Sequence, residues 1–234
     1  MCYRHFVKKS IDEVAYKQEL ERLMHREVTL ICDEIFQDCT FEVGKEASNR
    51  EREERHLTNR SMNYGEIEFK AFLDILNELR RLGVETRGKT FWDLGSGTGK
   101  ALVCARLASD FGRVCGVELL KSLVSKATTA VDRLHDQYLH DLVCRDRVEH
   151  SEGSLLETQW GDGDVIFCNS TAFDRDLMGK MSRKAGTCMK KGAVFITFTK
   201  ALHDYDAQKK FEELSRTRMK MSWGPATVIY HMKK

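Results

Sequence analysis

Hydrophobic positions along this chain follow two rhythms. From residue 10 to 36, Ile11, Val14, Ala15, Leu20, Leu23, Met24, Val28 and Ile31 recur near helical spacing, which predicts an amphipathic helix. The charged run at 50–56 interrupts that rhythm and reads as an exposed helix or connector. A second amphipathic helix is predicted over 68–82 from Phe69, Phe72, Leu73, Ile75, Leu76 and Leu79, with Gly83 as its C-cap. Beyond it, short apolar runs alternate with helical patterns. Strands are predicted at 89–93, 113–118, 147–150, 164–168 and 193–199, and helices at 99–108, 121–139 and 174–189. A closing strand suits 227–232. Alternation of this kind implies an α/β fold with a doubly wound, mostly parallel sheet. The division expected is a helical N-terminal extension (1–60) followed by a Rossmann-like domain (61–234).

Composition narrows the picture. Of 234 residues 41% are hydrophobic, enough for a sizeable core, and one proline excludes proline-rich linkers. The longest mostly apolar stretch, near 193–198, is far short of a membrane span, and the first residues lack a secretory pattern. A soluble, untargeted chain with no membrane partner is expected. Eight cysteines without a C-x-x-C pair read as reduced, partly buried thiols, and no metal site is expected. Charge is uneven: residues 180–234 hold 13 Lys or Arg against 4 Asp or Glu, while 141–179 hold 3 against 9. Such a basic quarter could face an anionic partner or simply be a solvated surface.

The segment that carries chemistry is Phe91-Trp-Asp-Leu-Gly-Ser-Gly-Thr-Gly-Lys100, at a predicted strand-to-helix turn. A phosphate-binding P-loop is excluded, because its first glycine position holds Leu94 and Lys100 is followed by Ala101. The dinucleotide spacing fails too, since its third glycine position is Lys100. What remains is acid-x-Gly-x-Gly-x-Gly over Asp93, Gly95, Ser96, Gly97 and Gly99. Glycines admit close backbone approach to a ligand, and Asp93 would meet an ammonium group rather than a pyrophosphate. Glu118 closes the next strand, where an acid accepts ribose hydroxyls in nucleoside-binding α/β folds. Loop and acid together point to S-adenosylmethionine, with S-adenosylhomocysteine as product, and to a class I methyltransferase.

Read with other segments, the loop resembles the Dot-one (disruptor of telomeric silencing) family, histone H3 lysine methyltransferases that lack a SET domain. Asn63-Tyr-Gly-Glu-Ile-Glu-Phe69 resembles the family's Y-G-E-T-S-F, Asp93 to Gly99 its D-L-G-S-G-V-G, and Gly116-Val-Glu118 its G-V-E. Gly153-Ser-Leu-Leu-Glu-Thr-Gln-Trp160 resembles G-D-F-L-S-E-E-W, and Val165 to Phe173 resembles V-I-F-V-N-N-F-A-F. The likeness covers 62–231. It implies that Tyr64, Gly65, Glu66 and Ile67 cover the cofactor, that Lys100, Ser154 and Leu155 touch it, and that Asn169 holds it or orients the amine. Phe173 and Tyr230 would wall a lysine channel. The departures are Ser154 and Leu155 for an Asp-Phe pair at the adenine, Ile67 for threonine, Lys100 for glutamine and Thr171 for phenylalanine. The family's late tyrosine aligns nearer Val228 than Tyr230. The implied partner is histone H3 in a nucleosome and the implied location the nucleus; independently, on charge alone, the basic C-terminal region with Lys190, Lys191, Lys209 and Lys210 is expected to hold nucleosomal DNA. The other reading is a class I methyltransferase acting on another protein, RNA or a small molecule. An RNA-adenine enzyme would show N/D-P-P-Y/F where this chain has Asn169-Ser-Thr-Ala.

Overall fold

The computed structural model describes residues 13–59, 61, 63–139, 148–205, 210–221 and 224–234. Three helices come first: α1 (Glu13–Ile35), α2 (Phe41–Glu54) and α3 (Phe69–Arg81). Then β1 (Thr90–Leu94), α4 (Lys100–Ala108), β2 (Arg113–Glu118), α5 (Lys121–Tyr138) and β3 (Val148–Glu152) alternate. The chain continues through β4 (Val165–Cys168), α6 (Arg175–Cys188), β5 (Val194–Phe198), β6 (Phe211–Met221) and β7 (Gly224–Lys233). The sheet order is β3-β2-β1-β4-β5-β7-β6, with β7 antiparallel to both its neighbours and the other pairings parallel. The order reverses at β1, whose neighbours are β2 and β4. Open α/β sheets bind ligands at such a reversal.

Alternation along the central strands sorts the core into two layers. Phe91, Val114, Val165 and Phe167 face one cluster, which α1, α3, α4 and α5 complete. Trp92, Leu94, Cys115, Ile166 and Cys168 face the other, which α6 completes through Met178, Met181 and Ala185. Successive strand residues point to opposite faces, so every residue of β4 is buried. Val28, Cys32, Ile35 and Phe36 of α1 belong to the same cluster as the sheet residues, so the first helix shares the core of the α/β part.

Two elements differ from the sequence expectation. The run at 50–56 closes a 14-residue helix, α2, whose start Thr40 caps by accepting from the Val43 amide at 3.5 Å. Its Gly44, Ser48 and Glu51 are buried, at helical spacing on one face. Strand β6 was not expected at all. The pairing register shifts between Glu213 and Ser215, a bulge that moves the inward parity from one face to the other. Phe211 therefore packs in the α6-side cluster, and Leu214, Met219 and Met221 in the opposite one. A single alternation template cannot follow that change. The first residues of the helix expected from 10 and of the strand expected from 147 lie outside the described residues.

Candidate active site at the carboxyl ends of β1, β2 and β4

Strand β1 ends at Leu94, and the chain turns back over β2 before starting α4. The Gly95 and Ser96 amides donate to the Val117 carbonyl at 2.8 and 3.1 Å, which ties the loop to the neighbouring strand. Gly97 has φ of +55°, in the left-handed region that side chains other than glycine rarely adopt. Gly116 meets a different demand. A Cβ there would lie 2.6 Å from Leu102 Cδ1 and 3.0 Å from Ser96, so the glycine of the G-V-E segment lets loop and helix sit down on β2.

Two carboxyls occupy the floor. Glu118 Oε2 accepts from the Gly97 amide and Oε1 from the Leu120 amide, both at 3.0 Å. Burial pushes its carboxyl upward, against the pull of those amides. Asp93 is 3% exposed and meets no side-chain hydrogen-bond donor among the described residues. Burial, and then the Glu118 charge, drive it well above the ordinary carboxylate range. Ser96 Oγ is also buried without a partner.

A cover crosses the loop from residues 63–68. Glu66 accepts from Thr98 Oγ1 at 2.9 Å and also from Tyr64 Oη and Lys100 Nζ. Lys100 Nζ lies 5.7 and 5.8 Å from the ring centroids of Phe36 and Phe69, which pack against each other at 5.8 Å. Tyr64 stacks on Phe41 of α2 with centroids 5.8 Å apart and passes over Gly97. On the far wall, the 153–160 turn is fixed by the Gly153 amide on the Glu118 carbonyl (2.8 Å) and by the buried Trp160 indole on the Leu155 carbonyl (2.7 Å).

Between these walls lies a cavity of about 950 Å³. Tyr64, Gly65, Glu66, Ile67, Gly95, Gly97, Lys100, Glu118, Ser154, Leu155, Asn169 and Phe173 all line it. Of the residues singled out from the sequence, Asp93, Ser96 and Gly99 do not; they sit in or beneath the loop. Tyr230 is a correction. It is fully buried in the α1-side core between Ile196 of β5 and Ser215 of β6, away from the cavity, with its hydroxyl near Thr217 of β6. A late β7 position points into the sheet's packing layer, so it cannot wall this channel. At the β4 end, Asn169 Oδ1 accepts from Thr171 Oγ1 at 3.0 Å, and the Lys200 ammonium holds the Thr171 carbonyl at 3.1 Å.

The sequence reading missed the contribution of α2. Phe41 and Ser48 line the cavity, as do Ser61, Asp174 and Lys180 around the β4 end. The small residues Gly44, Ala47 and Ser48 one turn apart carried a signal for close helix approach, which the charges around them masked. On the basic side, Lys190 is engaged by Asp164 at 3.0 Å, Lys191 and Lys210 are exposed, and Lys209 lies outside the described residues.

The walls suit a ligand with a cationic centre and vicinal hydroxyls. They offer the Glu118 carboxylate held by backbone amides and the glycine path at Gly95 and Gly97, with the buried Asp93 carboxyl beneath the loop. Sheet order and loop position define a class I S-adenosylmethionine-dependent methyltransferase fold. Solved structures share it. The magnesium protoporphyrin IX methyltransferase ChlM from Synechocystis with bound SAM is 11% identical, TM-score 0.58, covering 80% of this chain and 97% of that one. An RNA methyltransferase from Salinibacter ruber, in complex with S-adenosyl-L-homocysteine, is 17% identical, TM-score 0.50, covering 69% and 91%. No curated protein matches the chain. The profile of the histone methylation protein DOT1 family matches residues 48–232, and the chain belongs to that family. Among the described residues no helix is long and apolar enough to cross a membrane.

Proposed function

We propose that this protein is an S-adenosylmethionine-dependent protein lysine N-methyltransferase acting on a core-surface lysine of histone H3 in nucleosomes. The observation that carries the reading is the DOT1 match over 48–232, which covers the cavity-lining residues from Ser48 of α2 to Lys180 of α6. Asp93 and Glu118 would hold the cofactor's ammonium and ribose, Gly95 and Gly97 would pass beneath it, and Tyr64 to Ile67 would cover it. When bound, the cofactor supplies an electrophilic methyl group on a sulfonium.

The chain's own residues then have three tasks. The amine must be held in line with the reacting bond, a matter of proximity and orientation. Asn169 stands at the end of β4 on the cavity wall and supplies an amide for that purpose. A lysine must also lose its proton, since its ordinary pKa is about 10.4. Phe173, Leu155 and Leu177 supply apolar surface at that end, beside Asp174 and Lys180, and it is this apolar part that favours the neutral amine. Third, water must be kept out, and the Tyr64–Glu66–Lys100 cover closes one side. The basic C-terminal stretch supports contact with nucleosomal DNA through counterion release, and a nuclear location follows from that substrate.

The test is tritiated cofactor offered to nucleosomes, isolated H3, H3 peptides and RNA across a salt series, with the product mapped by mass spectrometry. Labelling of intact nucleosomes that falls steeply as salt rises is expected. Equal, salt-insensitive labelling of peptides, or labelling of RNA, would reject the nucleosomal substrate.

A further inference from the structure

Helix α5 begins directly after the floor carboxylate Glu118, yet it has no cap of its own. Its N-cap is Leu120, which contributes no side-chain hydrogen bond, and its first turn carries no acidic residue. The missing acceptor arrives from α2, about 70 residues earlier in the chain. Glu51 Oε1 accepts from the Lys121 amide at 3.0 Å and Oε2 from the Ser122 amide at 2.7 Å. Arg55, one turn along α2, bonds Glu51 at 2.8 Å and reaches the Leu119 carbonyl at 3.2 Å. Ser122 Oγ returns a bond to the Ala47 carbonyl at 3.3 Å. The pair therefore brackets the turn 119–122 from both sides.

That turn does two things for the site. Its Leu119 and Leu120 line the cavity, and its Leu120 amide is one of the two donors that aim the Glu118 carboxylate. From these contacts we infer that Glu51 is a positioning residue for Glu118, through which the N-terminal helical extension sets cofactor affinity. The inference rests on the proposed reading of Glu118 as a cofactor ligand. Glu51 itself is 9% exposed and is not on the cavity wall, so it acts through the turn and not by touching the ligand. A carboxylate at a helix N-terminus is also favoured by the helix dipole. Burial alone would raise Glu51, but the amide and Arg55 bonds outweigh it and hold the carboxyl at about 2, so the clamp is charged at any working pH.

The test is a double-mutant cycle on the full chain, read by calorimetry with S-adenosylhomocysteine. Glu51→Ala is expected to weaken binding about tenfold, in the range of a lost helix cap. In a Glu118→Ala background the same change should weaken it less than about twofold, because the group it positions is gone. Turnover at saturating cofactor should be retained, so the loss appears in KM and not in kcat. Equal fold-losses in both backgrounds would overturn the inference and leave Glu51 a purely structural cap. An unchanged constant for Glu51→Ala in the native background would overturn it as well. If Glu118→Ala alone leaves binding unchanged, the site reading fails and the inference falls with it, a result distinct from the other two. Should Glu51→Ala fold poorly, Glu51→Gln, which keeps one acceptor oxygen, carries the same cycle.

Discussion

Three carboxyls lie along one path from α2 to the end of β1, and their surroundings differ in kind. Glu51 at the outer end receives two backbone amides and a guanidinium. Glu118 in the middle receives two amides but stays partly open to the cavity. Asp93 at the inner end is buried and, among the described residues, receives no side-chain donor. Their acidities follow: Glu51 is held down to about 2, Glu118 is pushed up, and Asp93 is pushed well up. The outer acid is satisfied by the fold. The inner one is left for something the fold does not contain. A buried carboxyl without a partner is a standing cost, so its retention at a sheet reversal beside a glycine loop points to a cationic ligand.

The largest effect that would break this contrast comes from closing the path between the acids. Gly97→Arg combines a side chain on a +55° backbone with a filled space beneath Tyr64. Calorimetry on the folded variant should show no cofactor binding, and retained affinity would remove the site from the glycine loop. Next in size is the outer acid. Glu51 is held at about 2 in the fold against its ordinary 4.5, which corresponds to at most about 3.4 kcal/mol of stability at neutral pH. With a lowered folded value, that stability is present above pH 4.5 and is lost as pH falls towards 2. The wild-type chain should therefore unfold at higher denaturant than Glu51→Gln at pH 7, with the gap shrinking on acidification from 4.5. A gap independent of pH would mean the carboxylate charge is not what α5 uses.

The inner acid should behave in the opposite way. Asp93 is raised, so the ligand-free fold loses stability as pH rises above the ordinary carboxylate range and regains it as pH falls back towards that range. Asp93→Asn is expected to melt higher, by about 2–4 °C for each kcal/mol recovered in a chain of this size. It should also bind cofactor about 10–100-fold more weakly, the scale of a hydrogen bond between charged groups. A variant that melts lower would show that Asp93 has a structural partner. The smallest effect is expected at Tyr230. Its hydroxyl is buried in the core with Thr217 beside it, so Tyr230→Phe should leave turnover within about twofold and stability within about 1 kcal/mol. A large fall in turnover would return the residue to the channel.

The two acids that differ most were not equally legible. Asp93 and Glu118 announce themselves by following short apolar strands and flanking glycines, a pattern local to 91–118. Glu51 sits in a run of alternating charge, Arg50-Glu-Arg-Glu-Glu-Arg55, where nothing local separates the buried glutamate from its exposed neighbours. Its partners are amides 70 and 71 positions away. Strand β6 hid for a related reason, because its bulge breaks the period of two on which strand recognition depends. Tyr230 erred the other way: its place two residues past the position of the family's late tyrosine suggested the cavity, and pairing with Ile196 and Ser215 places it in the core.

What the sequence determined by itself is the part governed by short-range pattern. Helical and strand periods gave the α/β alternation, and the Asp93–Gly99 spacing gave the turn at the sheet's reversal. Tertiary structure decided which carboxyls are spent on the fold and which remain open to a ligand. That distinction depends on where backbone amides and guanidinium groups from distant segments converge, since a buried charge is stabilised only by donors brought to it in space. Local spacing cannot carry that information, because α2, the loop after β1 and the start of α5 meet only when the sheet has formed.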